Sequence, residues 1–192
     1  MSITILLIIS QIATNYFTGN TDKQPYKLIK KDGKYEIRYY PPIIMATVKS
    51  NQKSFDSGSS ANFRRLAGYI FGGNQSDEQI SMTSPVHMDK NENGSTMSFI
   101  MPEGYTLENL PKPKESGIML HESKAEYTAS IRYGGISNDK DFEKHKAELI
   151  SYLKINGIKH ENNFRFLGYD APYQLINRRN EVIVRIELEG KE

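Results

Sequence analysis

The chain has 192 residues, of which 38% are hydrophobic and 25% charged, enough for one domain with its own core and too apolar for wholesale disorder. Lys plus Arg exceeds Asp plus Glu only by 25 to 23, so no large basic field exists to hold a phosphate backbone and nucleic acid is excluded as a partner. The absence of cysteine rules out a disulfide, a thiolate zinc site, an iron–sulfur cluster and a cysteine nucleophile.

Residues 3–12 are an apolar run broken only by Thr4, Ser10 and Gln11. The run has the character of a signal-peptide core or membrane anchor, but it is about half the length needed to span a bilayer. No Lys or Arg precedes it, and lysines 23, 27, 30, 31 and 34 follow. The expectation is export or membrane association through this segment, with a cytoplasmic protein as the alternative. Residues 1–24 are read as this segment plus a linker, and 25–192 as one domain.

Residues 35–39 alternate large and charged side chains, and 43–48 are apolar and partly β-branched beyond Pro41 and Pro42. This predicts a strand with a proline break at a sheet edge. Hydroxyls at 57–60 offer an N-cap. Phe63, Leu66, Ala67, Ile70 and Phe71 then recur at helical spacing until Gly72 and Gly73 stop the pattern, an amphipathic helix with both of its signals. Ile80, Met82, Val86 and Met88 alternate with polar residues, and Met97, Phe99 and Met101 alternate again beyond a turn at 91–94, as in a half-buried hairpin.

The second half has the same order. Tyr127, Ala129, Ile131 and Tyr133 predict a strand, Asn138 or Asp139 caps a helix bearing Phe142, Leu149, Ile150 and Leu153, and residues 164–173 and 182–188 complete two further strands. Residues 102–117, with Pro111 and Pro113, form an irregular connector rather than a domain linker, because neither half can cover its sheet alone. Two half-barrels closing on each other, with a groove where sheet and helices meet, satisfy this pattern.

No phosphate loop, HExxH, GxSxG or EF-hand pattern occurs. His87, His121, His145 and His160 lack metal-ligand spacing, so no metal site is expected. His87 is out of phase with the apolar face of its strand, which predicts a solvent-facing side chain. Met82, Met88, Met97 and Met101 share the apolar phase of the hairpin, where they serve as core filler or pack against a planar ligand. Arg64 and Arg65 lie off the helix's apolar stripe.

Several segments together resemble the SOUL haem-binding family: YEIRYYPP at 35–42, FRRLAGYIFGGN at 63–74, ISMTSPV at 80–86, MSFIMP at 97–102, LPKP at 110–113, GYDAP at 168–172 and RRNEVIV at 178–184. The likeness runs from Tyr26 to near the C-terminus. It implies an α+β fold, a distorted eight-stranded antiparallel barrel with two helices and internal pseudo-two-fold symmetry. It also implies non-catalytic binding of haem and other porphyrins. The family's groove maps here onto Phe63, Arg64, Ala67, Gly68, Phe71, Met82, Val86, Tyr173 and Gln174. Where some members carry basic side chains for the propionates, this chain has Gly68 and Gln174, leaving Arg64 and Arg65 as substitutes. The first strand lacks the histidine that some members use on the iron. The alternatives are an effector-type domain that takes cationic drugs around a buried Glu, with Glu181 and Glu187 the acids near the last strand, and an interaction protein that binds haem incidentally. Enzymatic turnover is not expected, since no nucleophile with a base can be assembled.

Overall fold

A computed structural model describes residues 21–51, 55–91, 94–171, 174 and 176–188. Its strands are β1 (Asp22–Lys23), β2 (Lys27–Asp32), β3 (Tyr35–Tyr40), β4 (Ile44–Ser50), β5 (Thr83–Ser84), β6 (Val86–Asn91), β7 (Gly94–Ile100), β8 (Ile118–Glu122), β9 (Glu126–Tyr133), β10 (His160–Gly168) and β11 (Asn180–Ile186). The helices are α1 (Phe55–Ile70) and α2 (Asp139–Ile155). β1 and β5 make a short parallel pair. The remaining nine strands form one antiparallel sheet, in the order β2-β3-β9-β11-β10-β6-β7-β4-β8. The α+β class and the two helices agree with the sequence reading. The sheet, however, has nine strands rather than eight, and its end strands β2 and β8 do not pair with each other, so it is not closed into a barrel.

The sheet is nevertheless strongly curled, and chain length shows why. β3 and β4 lie six positions apart in the sheet, yet only residues 41–43 join them; β8 and β9 are also six positions apart and are joined by 123–125. Six strand spacings across a flat sheet measure about 29 Å, whereas a three-residue link reaches at most about 14 Å. The two ends must therefore be folded toward each other. The same fact corrects the reading of residues 35–48 as one interrupted strand. Pro41 and Pro42, which cannot donate to a ladder, carry the chain from one end of the sheet to the other.

Each helix covers one region of the sheet. Leu66, Tyr69 and Ile70 of α1 bury against Ala46, Val48, Met97 and Phe99. Phe142, Leu149, Tyr152 and Leu153 of α2 bury against Ile131, Phe164, Phe166, Val182, Val184 and Ile186. α1 begins at Phe55, ahead of the hydroxyls expected to cap it, whose side chains lie outside the described residues. Its other end is closed as expected: Gly72 has φ +102, and the Gly73 N–H donates to Gly68 O at 2.8 Å, the six-to-one bond of a Schellman stop. A Cβ on Gly73 would sit 2.5 Å from Gly68 O, so only glycine fits. Asn74, fully buried, donates to Tyr69 O and Glu78 O and accepts from the Ser76 and Glu78 N–H groups, pinning the next turn under the helix. On α2, the Asn138 side chain accepts from Asp141 N at 3.0 Å.

Three elements have no counterpart in the sequence reading, namely β1, β2 and β8, while residues 80–82 are not a strand and β10 ends at Gly168. The ordered fold also begins before residue 25. β1 pairs with Thr83 and Ser84, and the buried Gln24 accepts a hydrogen bond from the His87 ring at 2.8 Å. Removing residues 1–24 should therefore cost about 1–3 kcal/mol relative to removing 1–20, the penalty of a buried ring nitrogen without a partner. Urea denaturation of the two truncated chains measures this, and equal stabilities would show that Gln24 contributes nothing.

Candidate functional site: the apolar residues beside the first helix

One face of α1 is only partly closed. Phe63 and Ala67 pack, half-buried, on the core beneath the helix, as do Met82 and Val86 from the segment that follows it. Phe63 meets Phe99 edge-on, with ring centroids 5.2 Å apart. Phe71, one turn beyond Ala67, is 64% exposed, and a Cβ placed on Gly68 would meet nothing within 4 Å. The structure thus brings four of the expected residues, Phe63, Ala67, Met82 and Val86, onto one core, while Phe71 stands exposed at the end of the helix and open space lies over Gly68. A rim of half-buried and exposed apolar groups, one of them a large aromatic, suits a flat hydrophobic ligand.

The remaining expected residues divide. Arg64 is exposed on α1. Arg65 is committed elsewhere, donating to Ser116 O at 2.9 Å and pairing with Glu115. Gln174 is buried in the loop after β10, where its Nε2 donates to Ile176 O and its carbonyl accepts from Arg178. Tyr173 lies outside the described residues. Met97 and Met101 are fully buried and act as core, whereas Met82 and Met88 are half-buried at its margin.

No histidine is among the described residues packed on this core. His87 is buried rather than solvent-facing, because the face of the sheet turned away from the helices is itself enclosed by the curl. Alternation along β6 puts Val86 and Met88 under the helices and His87 on the enclosed side, opposite Leu167 and Ser98. Burial, and then the nearby Arg165 charge, push its pKa down to about 3, so the ring is neutral. His121 lies on the same side, its Nε2 2.9 Å from Thr47 Oγ1, which is in turn 2.7 Å from Ser98 Oγ. Among the described residues no carboxylate orients that ring; its Nδ1 faces Glu122 O at 3.4 Å. His145 stacks on Tyr133 and His160 lies against Phe164, both on the α2 half. Among the described residues no group of three metal-ligating side chains converges.

The enclosed side holds a charged network that the sequence reading did not assemble. Glu181, with no exposed surface, accepts five hydrogen bonds, two from Arg38, two from Arg179 and one from Tyr169. Arg38 reaches it across β9, over the small Thr128 and Ser130, and stacks on the Tyr26 ring at 4.4 Å. Burial opposes the Arg38 charge, but the Glu181 carboxylate outweighs it and raises its pKa. Burial, reinforced by Glu181, raises Tyr169 well above the ordinary phenol range. A cleft of about 750 Å³ is lined by Pro41, Pro42, Ile44, Thr83, Met101 and Tyr105 together with Lys23 and the carboxylates Asp22, Glu103, Glu108 and Glu122.

A family model described as SOUL heme-binding protein matches residues 21–185. The chain belongs to the SOUL haem-binding family. It is 30% identical over 169 residues to heme-binding protein 2 of Mus musculus, covering 83% of this chain and 82% of that protein, and 27% identical over 179 residues to heme-binding protein 1 of Xenopus laevis, covering 88% and 94%. Among solved structures, the C-terminal domain of EcmrR has a TM-score of 0.61 at 13% identity, over 84% of this chain and 98% of that one. A hydrolase from Listeria innocua has a TM-score of 0.59 at 10% identity, over 83% and 94%. These two share the fold of the SOUL chain and no more.

The depressed pKa of His87 makes stability pH-dependent. In the unfolded chain the ring takes up a proton as pH falls through about 6.5, whereas the folded ring resists until about pH 3. The contribution is fully present above the unfolded pKa and is lost at about 1.4 kcal/mol per pH unit below it. Between pH 7 and 5, His87→Gln should therefore be less sensitive to acid than wild type, as read from the unfolding free energy at each pH. Parallel curves would show that His87 is hydrated or protonated in the fold.

Proposed function

We propose that the chain binds haem and related porphyrins without transforming them, in the groove formed by Phe63, Ala67, Gly68, Phe71, Met82 and Val86. The observation that carries this is the exposed Phe71 beside the open space at Gly68, over a core already closed beneath. The residues present fit a porphyrin face held by apolar contact. Burying a few hundred Å² of macrocycle at roughly 25 cal/mol per Å² gives several kcal/mol before association costs are subtracted. Arg64, at the exposed surface of α1, is placed for a propionate; a partly solvated pair of that kind contributes about 1 kcal/mol or less. With His87 bonded to Gln24 and His121 to Thr47, the binding we propose has no axial histidine. Haem bound in this way would serve a carrier, buffer or sensor role, its redox chemistry belonging to the cofactor. The domain we propose as the binding unit begins at about residue 21, and the two strand-helix-hairpin halves, β4-α1-β6-β7 and β9-α2-β10-β11, we read as a pseudo-two-fold repeat.

The effector-type alternative requires a buried carboxylate to receive a cation. Glu181 is already neutralised by Arg38 and Arg179, so it has no capacity for a cationic drug. The acidic cleft is less suited to haem than the groove we propose, because its four carboxylates outnumber its one lysine, Lys23, and would repel propionates. A catalytic role for Thr47 and His121 lacks the orienting acid that an activated hydroxyl needs.

Titration of hemin into wild type, Phe71→Asp and His121→Ala tests the proposal. Phe71→Asp should weaken binding by more than about tenfold, equivalent to about 1.4 kcal/mol, while His121→Ala should leave the Soret position and affinity unchanged. A Soret shift in His121→Ala would show a histidine on the iron, and an unaffected Phe71→Asp would remove haem from this groove.

A further inference from the structure

We propose that β2 and the residues that lead into it form a docking surface for anionic phospholipid bilayers. The stretch 23–34 contains five lysines and one aspartate, a charge of +4, in a chain whose net charge is +2. The rest of the molecule therefore sums to −2, and the excess positive charge is concentrated in this stretch, with three of the five lysines on β2. That strand lies at the edge of the sheet, and all six of its residues are exposed. Lys31 pairs with Glu36 and Lys34 with Glu148, whereas Lys23, Lys27 and Lys30 pair with no carboxylate among the described residues.

Lysines on an edge strand also serve to keep it from pairing with other chains. That role does not explain Leu28 and Ile29, which are 47% and 37% exposed between those lysines. An edge guarding itself against association would not display two adjacent aliphatic side chains. The ladder shifts register between Leu28 and Lys30, making Ile29 the extra residue of a bulge. Aliphatic groups flanked by lysines match a headgroup region, where the charges meet phosphates and carboxylates and the side chains enter the acyl boundary.

The preceding sequence agrees with this. Residues 1–20 contain no Asp, Glu, Lys, Arg or His and include the apolar run at 3–12. A basic cluster immediately after an apolar segment is the pattern that reads as recognition of an anionic leaflet. The apolar run and the lysines would then supply separate contributions, one insensitive to lipid charge and salt, the other dependent on both. The α1 groove is formed by other elements, and membrane docking does not rest on haem binding.

The test is co-sedimentation of the full chain with vesicles of phosphatidylcholine alone or with about 30% phosphatidylserine. Wild type should bind the anionic vesicles more strongly, with an advantage that fades at high salt. The triple variant Lys23→Gln, Lys27→Gln, Lys30→Gln should lose roughly fivefold per lysine on anionic vesicles and nothing on neutral ones. A variant with Leu28→Ser should lose affinity for the anionic vesicles while keeping the salt dependence. Circular dichroism and hemin titration of both variants check that the fold is retained. Equal wild-type binding to both vesicle types would overturn the proposal, as would a triple variant that sediments like wild type. Binding of heparin as tightly as of anionic vesicles would assign the lysines to polyanions in general, and self-association of the triple variant with unchanged vesicle binding would make them edge guards.

Discussion

Two links of three residues, 41–43 and 123–125, determine the shape of this molecule, because each joins strands that a flat sheet would hold far beyond their reach. Curling is forced by connectivity. It encloses the sheet face that no helix covers, and that face must then satisfy whatever side chains alternation places on it. β3, β9 and β11 place Arg38, Thr128, Ser130, Glu181 and Ile183 there, all of them buried. Burying a carboxylate is tolerable only with close and complete pairing, and Glu181 has it. Arg38 and Arg179 donate to both of its oxygens between them, and Tyr169 completes the shell. The network fills the interior with charge that is neutralised locally, which removes the enclosed face from consideration as a ligand site for either ion.

The ligand site we propose is accordingly on the outside, where α1 lies on the sheet. The helix is held by apolar contacts with β4 and β7 and by the Gly72, Gly73 and Asn74 stop at its end. These fix the positions of Phe63, Ala67 and Phe71 without closing over them. The Gly72-Gly73 pair is thus accounted for by helix termination rather than by phosphate chemistry, and the surface we propose for the ligand includes Phe71, left exposed just before it. The relation to EcmrR and to the Listeria hydrolase is one of architecture: a curled sheet with two helices can present different faces to different ligands.

Much of this was readable from the chain. Helical spacing at 63–71 and 142–153 located both helices, and period-two alternation located β6, β7, β9 and β11, because in each case one face is apolar and the other polar. The pattern failed where that premise fails. β2 is exposed on all of its residues and β8 is short, so neither carries a strong period. His87 was placed in solvent because alternation distinguishes two faces but not whether the second is covered, and coverage here comes from the three-residue links. Glu181 was visible as an acid near the last strand, but its partners lie on β3 and in the loop before β11, and a separation of 143 residues from Arg38 leaves no local signal. The helix stripe and the family motifs pointed to Phe63, Ala67, Phe71, Met82 and Val86, four of which pack on one core. The pairing of Arg65 with Glu115 had no local signal, because Glu115 comes from the irregular connector.

We propose that a porphyrin lies on the outer face of α1 and not in the enclosed sheet or the acidic cleft. The most direct measurement is the change in backbone amide resonances of the isotopically labelled chain as protoporphyrin IX, which lacks iron, is added. The account predicts that the shifts concentrate at residues 63–71 and 82–86, with Arg38, His87 and Glu181 unmoved. Shifts centred on residues 41–44 and 101–108 would place the ligand in the cleft and contradict it.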